Sequence, residues 1–281
     1  MLGSAVLAPP SALADLVEAI WDVDVPDGNV ARAMAVKVLP TASSVMVVHY
    51  RSPISSDRRN HEGCAYKSVV TGVQRETVTL QPGGPTGSMV VRLRPGAASR
   101  VFGVEMEAFT DANVELADLF GDTARDQLES ELREAPDKAA RLAAIVSFLL
   151  PRVRRATDAV VDESIRRLRR NPAQPIARLS AALGISERQL SRRFLSRIGV
   201  SPKQIVRVLR GEKLIAARTR GVAWADIAAL CGFNDQAHMI RDFKALAGVT
   251  PDAHVRAAFG GPRRDLNAAL AMSGFYNTAF V

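Results

Sequence analysis

The spacing of apolar residues divides the chain into an opening segment, a β-rich segment and a long helical remainder. Residues 12–22 place leucine, valine, isoleucine and tryptophan at helical spacing, which predicts an opening helix. Residues 33–110 carry short apolar or alternating runs with turn residues between them, a pattern typical of strands. From residue 115 onward, apolar positions recur every three or four residues, which predicts helices.

Three runs are the clearest strand candidates in the β-rich segment. Residues 45–50 and 89–93 are continuous apolar runs, whereas residues 74–80 alternate between polar and apolar side chains. The sequences Pro-Gly-Gly-Pro at residues 82–85 and Pro-Gly at residues 95–96 predict turns.

Short helices are predicted between residues 115 and 155, because Gly121 and Pro136 interrupt the helical pattern there. Leu128 and Leu132, followed by residues 142–149, form an apolar stripe along this stretch. The stripe predicts either a dimer interface or packing of these helices on the protein's own sheet.

The C-terminal half contains an internal repeat. The first copy, residues 176–202, is IARLSAALGISERQLSRRFLSRIGVSP, and the second copy, residues 224–251, is WADIAALCGFNDQAHMIRDFKALAGVTP. One extra residue in the second copy, at Asn234, restores the register. The matched positions are Leu179 with Ile227, Gly184 with Gly232, Leu190 with Met239, Phe194 with Phe243, Gly199 with Gly248, and Pro202 with Pro251.

Each copy has the pattern of a helix-turn-helix. A short apolar helix ends at a glycine, which tolerates the left-handed backbone of a tight turn. In the first copy Ser186 and Gln189 form a capping-box pattern, and in the second copy Asp235 or Asn234 provides the N-cap. The second helix of the first copy then presents three residues to the core, Leu190, Phe194 and Ile198. Both copies close with Ser-Pro or Thr-Pro, which predicts the start of another helix.

At roughly 100–200 residues per domain, 281 residues suggest two domains. The charge of the chain is divided unevenly between its two halves. Residues 1–150 carry 14 basic and 19 acidic side chains, a net charge of −5, whereas residues 151–281 carry 23 and 10, a net charge of +13. The basic half indicates binding to a polyanion, and a basic surface that serves only solubility is the alternative.

Composition excludes several classes of protein. Hydrophobic residues make up 47% and charged residues 23%, which excludes a disordered chain, a collagen and a disulfide-stapled miniprotein. The two cysteines, Cys64 and Cys231, are far apart, so we expect neither a disulfide framework nor a zinc cluster. Without a long apolar run or a basic N-terminal stretch, we expect a cytoplasmic protein with no membrane span.

The repeat resembles the AraC family (AraC/XylS) of bacterial transcription regulators. The match in the second copy is GFNDQAHMIRDFK at residues 232–244 with GVTP at residues 248–251. In the first copy it comprises LGIS at residues 183–186, LSRRF at residues 190–194 and GVSP at residues 199–202. The resemblance extends from roughly residue 158 to residue 260.

This resemblance implies two helix-turn-helix units joined by a long helix over residues 202–218. The second helix of each unit would enter the major groove, and the two would occupy successive grooves about 34 Å apart on double-stranded DNA. One chain would then recognise a bipartite site, and placement on DNA with contact to RNA polymerase would provide activation; repression is the alternative.

Two polar strips flank the core face of the second helix in the first copy. One strip is Arg188, Ser191 and Arg192, and the other is Gln189 and Arg193. Periodicity alone does not choose between them. The resemblance selects the first strip as base-facing, where arginine makes bidentate contacts with guanine.

The matching positions of the second copy are Ala237, Ile240 and Arg241, of which only the arginine is polar. We therefore expect Ala237 or Ile240 to contact thymine methyl groups and Arg241 to contact phosphate. Gln236 and His238, near the helix start, are further candidates for base-edge contacts. A plain surface position for His238 and simple packing for Ile240 are the alternatives.

Other residues of the basic half have plainer interpretations. Arg193 and Arg197 are expected to be solvated or to face phosphate, and Cys231, which aligns with Leu183, is expected in the core. A run of arginines in the first helix of this half is expected to form a solvated face, with some members near phosphate: Arg166, Arg167, Arg169 and Arg170.

The N-terminal half is similar to the sensor domains attached to many AraC-type regulators, and closer to an uncharacterised sensor subgroup than to the arabinose-binding cupin type. The similarity rests on the opening helix with Trp21, the strands, RPGA at residues 94–97 and LADLFG at residues 116–121. It implies a small-molecule effector and is compatible with a homodimer.

The same half carries no catalytic or metal-binding motif. His49 and His61 with Glu62 lack the spacing of cupin metal ligands, and Cys64 lacks a nucleophile-elbow context. Four aromatic residues are candidates for an apolar pocket, with core packing the preferred interpretation of each: Trp21, Tyr50, Tyr66 and Phe102.

These observations predict an α+β protein. Residues 1–155 form a β-rich regulatory domain with flanking helices, residues 156–260 form an all-α domain of two helix-turn-helix units joined by a long helix, and residues 261–281 form a tail. The predicted function is sequence-specific DNA binding in transcription regulation, without catalysis or cofactor. The alternatives are an enzyme or small-molecule binding module tethered to DNA, and a non-specific architectural DNA binder.

Overall fold

The computed structural model describes residues 5–33, 36–56, 65–154 and 156–259. Strands and helices make up the N-terminal part, and helices alone make up the described chain from residue 159 onward, so the predicted α+β fold is confirmed. The tail at residues 261–281 and the residues His61, Glu62 and Cys64 lie outside the described residues.

The strands form two antiparallel sheets. Their bounds are β1 Ala5–Leu7, β2 Val17–Val25, β3 Val36–Val38, β4 Val45–His49, β5 Ile54–Ser56, β6 Ala65–Tyr66, β7 Val69–Thr71, β8 Val78–Pro82, β9 Thr86–Leu93 and β10 Asn113–Glu115. One sheet has the order β1-β2-β9-β4-β7-β10, and the other has the order β3-β8-β5-β6. All strand pairs are antiparallel.

The opening segment is a strand, so the helix predicted over residues 12–22 is wrong. A 3-10 helix covers Ser11–Leu13, and β2 begins at Val17. β2 pairs with β1 on one edge and β9 on the other, and it is buried on both faces, with Ile20 and Trp21 in different cores. Burial on both faces produces a nearly continuous apolar run, which imitates the spacing of a helix.

The other strand predictions are confirmed with adjusted bounds. β4 and β9 contain the runs predicted at residues 45–50 and 89–93, but only the last three residues of 74–80 belong to β8. The preceding residues are held in a loop, where the Arg75 backbone N–H donates to Asp111 Oδ1 at 2.8 Å.

The two faces of the six-stranded sheet pack against different partners. Successive side chains of a strand point to opposite faces, so Met46 packs toward the helices whereas Val47 packs toward the smaller sheet. The helices of this part are α1 Gly28–Arg32, α2 Ala97–Phe102, α3 Leu116–Phe120, α4 Asp122–Glu134 and α5 Lys138–Leu149. Leu128, Leu132 and Ile145 are buried against the sheet, which confirms packing on the protein's own sheet for these residues of the stripe.

The C-terminal helices form the two predicted helix-turn-helix units. Their bounds are α6 Ala159–Arg170, α7 Ile176–Ala182, α8 Glu187–Ile198, α9 Pro202–Thr219, α10 Trp224–Leu230, α11 Gln236–Ala247 and α12 Pro251–Phe259. We call α7 and α8 the first unit and α10 and α11 the second unit; α9 is the long helix between them. None of the described helices is both long and apolar enough to cross a membrane.

The caps predicted from sequence are present. Ser186 and Gln189 make both hydrogen bonds of a capping box at the start of α8. In the second unit Asp235, rather than Asn234, is the N-cap, and its carboxylate accepts a hydrogen bond from the His238 backbone N–H at 2.6 Å. The turn glycine after α8, Gly199, has a left-handed φ of 100°.

Candidate nucleic-acid interface

The second helix of the first unit, α8, carries two largely exposed polar strips, of which only one makes contacts within the chain. Arg188 and Arg192 are exposed and Ser191 is half-buried, and neither arginine forms an ion pair within the described part of the chain. The opposite side of α8 is the core face, where the residues predicted from spacing are fully buried: Leu190, Phe194 and Ile198. The strip selected by the resemblance is therefore available to a partner.

The other strip is tied to the fold. Gln189 accepts a hydrogen bond from the Ser186 backbone N–H at 2.9 Å, as part of the capping box. Arg193 donates to both carboxylate oxygens of Asp158 at 3.0 Å, and Asp158 also caps α6. Arg193 nevertheless stays exposed, in agreement with the expectation that it is solvated.

The second unit offers fewer polar groups on the matching surface. Gln236, Ala237 and Arg241 of α11 are exposed. The His238 ring is half-buried and meets the Phe233 ring edge-on at a centroid distance of 5.4 Å. Ile240 is also half-buried and packs against the core of this unit, as its alternative interpretation predicts.

Three of the four arginines of α6 form ion pairs, and Arg166, Arg169 and Arg170 stay exposed, as expected of a solvated face. Arg166 and Arg167 both pair with Glu163 on the same helix. Arg169 pairs with Glu18 of β2, in the N-terminal half, at 2.6 Å. Arg197 of α8 is half-buried rather than solvated. Cys231 lies in the core as predicted, and burial raises the pKa of its thiol to about 11.

The N-terminal half packs directly against both units. Leu39, in the loop after β3, lies in the core of the second unit. Ala42 and Val73 lie in the core of the first unit. The Thr110 hydroxyl donates to the backbone carbonyl of Gly199, at the C-terminal end of α8, at 2.6 Å. The N-terminal half thus holds the end of α8 that is remote from Arg188.

Buried ionisable groups accompany this packing. Glu18 accepts hydrogen bonds from Arg169 and from the Ser43 hydroxyl, the latter at 3.1 Å. Burial alone would raise the pKa of Glu18, but the contact with Arg169 outweighs it and the pKa lies below its usual value. Glu212 on α9 is half-buried nearby, and burial raises its pKa to about 7 against the opposing effect of Arg169 and Arg92.

Replacing Glu212 with glutamine is expected to remove part of the pH dependence of folding stability. Between pH 4.5 and about 7 the folded chain keeps the Glu212 proton that the unfolded chain has released. The free energy of unfolding contributed by this group therefore falls as the pH rises through that window, by roughly 1–3 kcal/mol. Urea unfolding of both chains at pH 5 and pH 8 measures the difference.

A matched control for this variant is Glu131→Gln, because Glu131 is exposed on α4. The control is expected to keep the wild-type pH dependence. His49 acts in the opposite direction, since burial lowers its pKa to about 4 and its contribution to stability rises with pH. Variant and wild type are therefore compared at each pH. A Glu212→Gln chain that loses as much stability as wild type between pH 5 and pH 8 would contradict the assignment.

A cavity of about 70 Å³ lies between the two sheets. Its lining residues come from both sheets and the loop before β8: Val38, Val47, His49, Ile54, Val69, Thr71, Gln74, Val78, Leu80 and Asn113. His49 donates to or accepts from the Ser88 hydroxyl at 2.7 Å, and its lowered pKa keeps it neutral near pH 7. No cluster of metal-ligating side chains occurs in the described residues.

The aromatic residues considered as pocket candidates pack in the core, which is the interpretation that the sequence favours. Trp21, Tyr50 and Phe102 are all buried, and none of them lines this cavity. The Tyr50 hydroxyl donates to Asp22 Oδ1 at 2.6 Å. The side chain of Tyr66 lies outside the described part. The sequence pattern does not identify the cavity, because the alternation of its lining residues is also that of any strand between two layers.

The chain matches two family models. Residues 179–257 match a helix-turn-helix domain, and residues 5–115 match a domain of unknown function (DUF6597). A search among curated proteins gave no match.

Three solved structures illustrate the structural similarity. ToxT from Vibrio cholerae O395 shares 13% identity, with 85% of this chain and 97% of that chain covered and a TM-score of 0.48. Unsaturated fatty acid-bound ToxT from Vibrio cholerae strain SCE256 shares 12%, with 92% and 96% covered and a TM-score of 0.48. The AraC-like transcriptional activator CuxR shares 13%, with 83% and 100% covered and a TM-score of 0.24.

Proposed function

We propose that this protein is a transcription regulator of the AraC type, because residues 179–257 match a helix-turn-helix domain and residues 5–115 match the DUF6597 domain. It recognises a bipartite DNA site through two successive major grooves, and it responds to a small molecule through its N-terminal domain. RNA polymerase is the expected partner in activation, and a second copy of the chain is a further expected partner.

The observation that carries this proposal is the shared construction of the two units. In each unit the second helix has a polar N-cap, a buried core face and an exposed face with arginine, Arg192 in α8 and Arg241 in α11. A helix presented in this way suits the major groove, where base edges differ for every base pair.

The two units divide the recognition unequally. Arg188 and Arg192 supply bidentate donors for guanine, with Ser191 between them as a weaker contact. In the second unit Ala237 contacts a thymine methyl group and Arg241 contacts phosphate. Gln236 supplies a base-edge contact. His238 and Ile240 are half-buried at the edge of the same surface, where they add smaller contacts with DNA.

Selection of genomic DNA fragments by the purified full-length protein tests the proposal. At about 150 mM salt, where non-specific binding is weak, the bound pool is expected to share two short blocks centred about 10 base pairs apart. A variant with both Arg188→Ala and Arg192→Ala is expected to lose the block read by the first unit and to keep the other.

The architectural alternative makes a different forecast for the same experiment. An architectural DNA binder gives a pool no richer in any motif than the input. Repeating the selection with residues 156–260, checked for helical content by circular dichroism, separates this class from a regulator that is silent without its effector. Absence of a motif with both the full chain and the folded fragment would overturn the proposal.

A further inference from the structure

The cavity between the two sheets has the lining of a site for an uncharged molecule. Its walls are mainly aliphatic, with Val47, Val69 and Leu80 among them, and none of its described lining residues is charged near pH 7. A carboxylate or ammonium group placed inside would lose its hydration without gaining an ion pair. The volume of about 70 Å³ accommodates several water-sized groups, since each needs roughly 10–15 Å³.

The polar groups of the cavity leave one acceptor without a partner. The Thr71 hydroxyl donates to Asn113 Oδ1 at 3.0 Å, and Gln74 Nε2 donates to the Gly72 carbonyl at 2.9 Å. Gln74 is only 7% exposed, and its Oε1 atom is buried without a hydrogen bond in the described chain. The atom is buried, so a ligand in the cavity reaches it when the Gln74 side chain moves toward the cavity. Because a buried acceptor without a donor is costly, a ligand with an N–H or O–H group gains by that movement.

The wall between the cavity and the C-terminal domain is one residue thick at two places. Val38 lines the cavity, and the next residue, Leu39, lies in the core of the second unit. Gln74 lines the cavity, and the preceding residue, Val73, lies in the core of the first unit. Both units therefore touch backbone segments that surround the cavity.

The segment that carries Gln74 is held firmly on its other side. The Asp111 backbone N–H donates to the Val73 carbonyl at 3.1 Å. Gly72 approaches the chain so closely that an added Cβ would lie 1.9 Å from the Phe109 carbonyl oxygen. The neighbouring Thr110 bonds to the end of α8, so a shift of Gln74 is passed to the first unit rather than absorbed in a loose loop.

We propose that this cavity binds a compact, neutral and mainly apolar molecule, or the end of one, whose hydrogen-bond donor meets Gln74 Oε1. Binding of this molecule shifts the backbone segments at Leu39 and Val73 relative to the cores of the two helix-turn-helix units. This inference deepens the proposed function by naming the class of effector and the route of its signal. It rests on that function only for the effect of the bound molecule on DNA binding.

Calorimetric titration of the full-length protein with three small probes tests the ligand class. Phenol is neutral and has a donor, toluene has nearly the same shape without a donor, and benzoate carries a charge. Phenol is expected to bind at least fivefold more tightly than toluene, and benzoate more weakly than either. Equal affinity for phenol and toluene, tighter binding of benzoate, or no binding of phenol would overturn the proposal.

The variant Gln74→Leu tests the assigned acceptor. It is expected to bind phenol and toluene within twofold of each other, because it retains the apolar volume and loses the acceptor. Gln127→Leu, on the exposed face of α4, is the matched control and is expected to keep the preference for phenol. The comparison of the three probes uses the wild-type chain alone. It therefore still tests the ligand class if the Gln74→Leu chain folds poorly.

Hydrogen exchange of the full-length protein with and without phenol tests the route to the C-terminal domain. Slower amide exchange is expected in residues 36–44 and 72–76 and in α9. Protection confined to the strands around the cavity would overturn the route. This readout needs no DNA, so a failed DNA selection with a positive phenol result would reject the proposed function and leave the site standing.

Discussion

Replacing Leu190 with aspartate is expected to unfold the first helix-turn-helix unit. The side chain is fully buried in the core of that unit, together with Leu179 and Phe194. The variant both removes an aliphatic side chain and buries a charge that has no partner, and it is expected to lower the free energy of unfolding by at least about 4 kcal/mol. Urea denaturation followed by circular dichroism measures the loss.

Leu230→Asp is the matched control for this variant. Leu230 is the last residue of α10 and is 49% exposed, so a charge there remains in water. We expect a change within about 0.5–1 kcal/mol. If Leu190→Asp were as stable as this control, the face of α8 assigned to the core would be wrong, and with it the face assigned to DNA.

Arg192→Ala is expected to weaken binding to the selected DNA site by about 1–3 kcal/mol, which corresponds to roughly a 5- to 150-fold rise in Kd. Its guanidinium is exposed on α8 and has no ion-pair partner in the described chain, so the loss reflects contacts with DNA. Binding to random DNA should change far less, because a base contact is lost and not a phosphate contact. Fluorescence anisotropy on both duplexes, at one fixed salt concentration, measures the two constants.

Arg193→Ala, one residue away, is the control with the same loss of charge. Its partner is Asp158, so we expect a small loss of stability and similar discrimination between selected and random DNA. Equal losses on both duplexes for Arg192→Ala would mean that Arg192 contacts phosphate. A larger loss of discrimination for Arg193→Ala would assign base contacts to the other strip.

Local patterns were sufficient for the C-terminal half because its helices are specified by neighbours in sequence. The capping box at Ser186 and the spacing of Leu190, Phe194 and Ile198 involve residues three or four positions apart, which is the range over which a helix is built. The same local pattern misled at residues 12–22. There the burial of Ile20 and Trp21 in different cores depends on strands that lie about 70 residues later in the chain.

The functional surface was predictable only in part. Spacing identified two strips on α8, and the tertiary structure showed that Arg193 is occupied by Asp158, a residue 35 positions away. Likewise, a charge run alone does not distinguish Arg169, which pairs with Glu18, from Arg188, which forms no ion pair in the described chain. Such pairings join distant parts of the chain, and periodicity holds no information about them.

The sequence by itself determined the repeat, its caps, its core faces and the division into an acidic and a basic half. Each of these depends on residue type and on contacts a few positions apart. Only the tertiary structure decided which strip of α8 makes contacts within the chain, that a cavity lies between the two sheets, and that Leu39 and Val73 join this cavity to the two units. These features arise because side chains on opposite sides of one backbone segment meet different domains, and that meeting is set by the packing of distant strands and helices.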